Sequence, residues 1–113
     1  MIGKGTLLKV RTTTLQDIFG EVLYEITEVG LPAPEKERAG QMDGLKCVML
    51  GGTGPRARKG YVVFDSEFGI QGNIASGITV IVSSEQRDEI LAMFDNKAKD
   101  GQKRCGNGTK ADL

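Results

Sequence analysis

The chain contains no histidine and no tryptophan, and aromatic residues make up only 5% of it. Without histidine it lacks the commonest general base, the usual partner of a serine or cysteine nucleophile, and the main ligand of most transition-metal sites. There are two cysteines, Cys47 in an apolar run and Cys105 in a glycine-rich end. Their separation has no zinc-site signature, so both read as thiols, and no structural metal or cofactor is expected. Long apolar runs are also missing, with nothing near the roughly eighteen residues of a membrane span. Met1-Ile2-Gly3-Lys4-Gly5 lacks the apolar stretch and cleavage signal of a secretory peptide. These absences point to a cytoplasmic protein with no membrane partner.

Net charge is zero, with fifteen basic and fifteen acidic residues, but the two signs are unevenly placed. Residues 97–113 carry Lys97, Lys99, Lys103, Arg104 and Lys110 against Asp100 and Asp112, a net of +3 that leaves −3 on residues 1–96. An acidic body argues against binding a phosphate backbone except through the tail or one local patch. The 113 residues suffice for one domain with a core of its own. The expected organisation is a β-rich domain over 1–96 followed by a polar, basic tail over 97–113.

Hydrophobic periodicity predicts five strands. Thr6 to Thr12 alternates, with Leu8 and Val10 on one face and Lys9 and Arg11 on the other. Leu15 to Phe19 predicts about one helical turn plugging an end of the sheet. Glu21 to Val29 is a second strand, with Val22, Tyr24 and Ile26 on one face and an acidic opposite face. Pro32 and Pro34 stop it, and Glu35 to Gly44 reads as a long charged loop of the kind that is often functional or mobile. Leu45 to Leu50 is apolar on both faces, as a central or covered strand should be. Tyr61 to Phe64 and Ile78 to Val82 complete the set. Between them Asp65 or Ser66 can cap a short helix carrying Ile70 and Ile74, weakened by Gly69 and Gly72. Ser83 or Ser84 opens a last helix with Ile90, Leu91, Met93 and Phe94 on its apolar face. The expected fold is α+β and β-rich: a small, strongly bent antiparallel sheet or a partly open SH3-like barrel of about five strands, with a C-terminal helix.

Two places could carry chemistry. The stretch Gly51 to Gly60 offers backbone N–H groups at Gly52, Thr53 and Gly54 and cations at Arg56, Arg58 and Lys59, the elements of an anion cradle. It lacks the order of a Walker motif, and a solvated hairpin loop explains the same residues. Asp65 and Glu67 follow a strand, where a carboxylate pair could act as acid and base, and ordinary helix capping again explains them. Cys47, on an apolar strand, reads as core.

The segments Gly-Glu-Val-Leu-Tyr-Glu-Ile at 20–26, Leu-Gly-Gly-Thr-Gly-Pro at 50–55 and Tyr-Val-Val-Phe-Asp-Ser-Glu at 61–67 resemble small uncharacterised bacterial proteins, among them products of mobile integron gene cassettes. The resemblance covers residues 5–83. It implies a bacterial cytoplasmic protein that assembles with itself, and it brings no catalytic motif, cofactor or substrate. The leading functional expectation is a non-enzymatic, homo-oligomeric binding module. The alternatives are a small-molecule enzyme or anion-binding protein using the Gly51–Gly60 loop with Asp65 and Glu67, and weak nucleic-acid binding through that loop and the tail.

Overall fold

The computed structural model describes residues 2–11 and 19–106, with side chains described as far as Asp95. Five strands, β1 (Leu7–Arg11), β2 (Glu21–Leu31), β3 (Gly44–Gly52), β4 (Val62–Ser66) and β5 (Thr79–Val82), form one sheet in the order β4-β3-β2-β1-β5. Every neighbouring pair is antiparallel. The sheet is open: β4 and β5 are edges, so the barrel alternative gives way to the sheet. The expected turn of helix at Leu15 to Phe19 lies almost wholly in residues 12–18, outside the described residues, as does the end of the tail over 107–113.

Sheet order explains the first helix. Because β4 and β5 run parallel at opposite edges, the chain between them needs a crossover. Four strand spacings of about 4.8 Å leave roughly 19 Å to cross. Helix α1 (Glu67–Ala75) supplies its nine residues, about 13 Å at 1.5 Å each, and residues 76–78 supply the rest. Helix α2 (Ser84–Gly106) follows β5 and runs past Asn96, where the apolar pattern of the sequence fades.

Each helix covers one face of the sheet, giving two cores. Beneath α1 lie Ile2, Leu8, Ile26, Leu45, Cys47 and Ile70, joined by Val10, Tyr24, Val63 and Ile74. Beneath α2 lie Leu7, Leu23, Ile90 and Phe94, joined by Leu50, Val82 and Leu91. Leu7 and Leu8 therefore sit on opposite faces, as the period of two requires. Strand β3, flanked by β2 and β4 and contributing to both cores, shows why Leu45 to Leu50 is apolar on both faces apart from Lys46, which pairs with Glu28.

The connection between β2 and β3 is pinned to the start of α1. It holds one 3₁₀ turn at Lys36–Arg38. Arg38 grips both oxygens of Asp43, at 3.0 and 2.8 Å, reaches Glu35 at 3.3 Å, and lies 4.6 Å from the Phe68 ring centroid. These contacts hold the Asp43 and Glu35 carboxyls below their ordinary range, through Arg38 for Asp43 and chiefly through Ser66 for Glu35.

Candidate functional site

Ser66, the last residue of β4 and fully buried, is the N-cap of α1: its hydroxyl oxygen accepts from the Gly69 N–H at 2.9 Å and donates to Glu35 at 2.6 Å. Asp43 completes the helix start, its carbonyl accepting from Glu67 N–H at 2.9 Å and its carboxylate from Phe68 N–H at 3.2 Å. With the first-turn donors satisfied by Ser66 and Asp43, the helix forms despite Gly69 and Gly72. A Cβ at Gly69 would meet Asp65 Oδ1, so a larger residue there would have to move that carboxylate.

Ser66 caps the helix, so Asp65 does not have to. Alternation along β4 turns Asp65 to the same face as Val63, under α1. There it borders a cavity of about 250 Å³ between α1 and the sheet, walled by Leu8, Val10, Val63 and Ile70 and edged by the polar side chains of Tyr24, Asp65, Asn73 and Thr79, with Cys47 also on its lining. β2 contributes Tyr24, α1 contributes Asn73 and β5 contributes Thr79. The one hydrogen bond to the Asp65 carboxylate among the described residues is the Ser66 N–H on Oδ1, at 2.8 Å. Thr79 is 3% exposed, and its hydroxyl, like the Tyr24 hydroxyl and the Asn73 amide, has no hydrogen-bond partner among the described residues. Tyr24 and Asn73 are half-buried, but Thr79 is buried, and a buried polar atom without a partner is uncommon enough to need a reason.

The apolar walls shift every titratable group in the cavity the same way. Burial, then the neighbouring Cys47 and Tyr61, pushes the Tyr24 phenol up to about 12. Burial, then Asp65, pushes the Cys47 thiol up to about 11. Asp65 is raised above the ordinary carboxylate range by burial, against the Ser66 N–H that favours its charge, and by the charge of Glu35.

The other residues singled out in the sequence lie elsewhere. Gly52 belongs to β3, where a Cβ would meet Ala57 Cβ and Val22 Cγ1 at 2.7 Å, so its lack of a side chain serves packing. Thr53 N–H donates to the Glu21 carbonyl at 2.9 Å, and Thr53 Oγ1 accepts from Glu21 N–H at 3.0 Å. Gly54 N–H donates to the Phe19 carbonyl at 2.9 Å. The loop amides are thus committed to the fold, and an anion there would have to be met by side chains. Arg58 and Lys59 border a separate cleft of about 410 Å³ beside Leu50, Leu91 and Phe94, on the face carrying α2, while Arg56 is exposed. Glu67 is exposed in the first turn of α1. Asp65 and the cations Arg58 and Lys59 therefore border separate clefts on opposite faces of the sheet and form no common site. Among the described residues no group of three or more Cys, Asp or Glu could hold a metal ion, and no helix is long and apolar enough to cross a membrane.

Asn73 and Thr79 carried no signal in the sequence, since they come from different elements and read locally as ordinary helix and strand residues. No family model, no curated protein and no solved structure matches the chain.

Proposed function

We propose that this chain is a non-enzymatic binding module whose ligand is a small molecule held between α1 and the sheet. The carrying observation is the cavity with Thr79, Tyr24 and Asn73 unpaired on its lining, because apolar walls with a few convergent polar groups are the form of ligand sites. Binding fits better than catalysis. With the thiol near 11 and the phenol near 12, both keep their protons at neutral pH, and Asp65 is left as a lone acid–base group without a nucleophile or second base. A library of small fragments titrated into isotope-labelled protein is expected to give saturable shifts at Leu8, Tyr24, Asp65, Asn73 and Thr79. Thr79→Val gives an independent check. Its hydroxyl has no partner to lose, so stability should be unchanged or rise by about 1 kcal/mol, while ligands that bond the hydroxyl weaken. Shifts confined to other surfaces, together with a clear loss of stability in Thr79→Val, would dismiss the pocket.

A second reading, self-assembly, is favoured by the edge strand β4. Among the described residues it pairs on one side only and leaves Val62 and Phe64 exposed at the sheet edge, Phe64 at 61% and also bordering the α1-side cavity. A second copy pairing β4 with β4 would extend the sheet and cover both residues.

A further inference from the structure

Resting on the pocket reading above, we infer that the ligand is a small organic amine, its protonated nitrogen on the Asp65 carboxylate and its apolar body against Leu8, Val10, Val63 and Ile70. Size limits the body. A cavity of roughly 150 Å³ accepts one benzene ring, so about 250 Å³ accommodates a ring or short branched chain with one polar arm.

Charge selects the arm. Among the described residues no lysine or arginine lines the cavity. Arg38, which ties down this corner of the molecule, is committed to Asp43 and Glu35. The groups facing Asp65 are Cys47 on β3 and Tyr24 on β2, both protonated at neutral pH, and the Ser66 N–H at the start of α1; Glu35, from the β2–β3 connection, adds a second negative charge. An anionic ligand would meet two like charges and no counter-ion. A neutral ligand would cover the half-buried carboxylate and leave it only the Ser66 N–H and no counter-charge, which is costly. An ammonium supplies the missing charge and donates to Asp65 Oδ2, and the hydroxyls of Thr79 and Tyr24 and the Asn73 amide can take its remaining donors. Asp65 is held above the normal carboxylate range, so in the empty pocket its charge opposes folding, as is common for a group retained for its chemistry.

Three compounds of one shape separate the possibilities: benzylamine, benzyl alcohol and benzoate, titrated at neutral pH into the full chain and into Asp65→Asn, with amide shifts read by NMR and unfolding measured in parallel. Benzylamine is expected to bind about tenfold more tightly than benzyl alcohol, the usual margin of a charge-assisted hydrogen bond over a neutral one, and benzoate more weakly than either. Asn keeps an oxygen for the Ser66 N–H, so Asp65→Asn should unfold at the same or a higher temperature, bring benzylamine down to the level of benzyl alcohol and leave benzyl alcohol unchanged. Equal binding of all three at Tyr24, Asn73 and Thr79, or benzoate binding most tightly, overturns the amine inference and leaves the pocket reading standing. Absence of pocket shifts with any compound overturns both. If Asp65→Asn fails to fold, the inference about its charge is wrong, and the ranking on the unaltered chain still decides whether the pocket takes an amine.

Discussion

At the scale of single residues, Tyr24 and Cys47 show how one environment sets both chemistry and pH response. Each is neutral when protonated, and each is packed among apolar side chains that penalise its anion, so the folded state holds the phenol to about 12 and the thiol to about 11, against ordinary values of 10.0 and 9.0. Since the folded state binds these protons more tightly than the unfolded chain, their stabilising effect is complete below about pH 9 and is lost as pH rises through the folded values. The magnitude is about 1.4 kcal/mol for each pH unit over which a group stays protonated only in the folded protein. Urea midpoints measured from neutral pH to about pH 11 should therefore fall, and Tyr24→Phe should fall less steeply than the parent. An unchanged slope in Tyr24→Phe would place the phenol in water. For the same reason Cys47 is expected to react slowly with thiol reagents until the protein unfolds.

Among the elements, α1 depends most on its neighbours. Two glycines within nine residues lower its intrinsic helicity, and its start is held by Ser66 and Asp43, residues outside the helix. Ser66→Ala removes the cap to Gly69 and the donor to Glu35 together, and should cost about 1–2 kcal/mol by analogy with other N-caps. Denaturant unfolding measures the loss, and faster amide exchange at Gly69 and Ile70 locates it. The β2–β3 connection is the converse case. Its length, prolines and charge read in sequence as a loop, and a loop it is, yet Arg38 draws its acids together and fastens it to α1. Glu35 and Asp43 lie below their ordinary range, so this fastening is present above their unfolded pKa and loosens as pH falls through their folded values. Five of the nine residues from Glu35 to Asp43 are charged, but which acids meet Arg38 depends on the 3₁₀ turn and on α1 lying alongside.

For the whole molecule, the question is what covers the parts that the two helices leave bare. Helix α2 crosses the sheet over Leu7, Leu23, Leu50 and Val82, while Val62 and Phe64 on β4 stay exposed at the sheet edge. If a second copy pairs along β4, light scattering of the full chain at tens of micromolar should give about twice the monomer mass. Phe64→Glu, changing an exposed residue, should then give a monomer with nearly unchanged stability. A monomeric parent would remove the self-assembly reading and leave the ligand-pocket reading standing, although Phe64 also borders that cavity.

The pattern of the amino acids by itself determined the strands and their faces, because a period of two separates Leu8 and Val10 from Lys9 and Arg11, and a run apolar on both faces but for Lys46 marks β3 as covered on both sides. It also marked the Asp65-Ser66 step as the place where a helix begins, since capping is local chemistry. It did not determine which strands are neighbours, and with that it left open which face each helix takes and which polar groups face one another. Tyr24, Asp65, Asn73 and Thr79 share a cavity only because α1 must carry the chain from one edge of the sheet to the other. Arg58 and Lys59, close to Asp65 in sequence, are separated from it by the thickness of the sheet. Local periodicity fixes how a segment meets its own two faces, and only long-range pairing decides what waits on the far side of each.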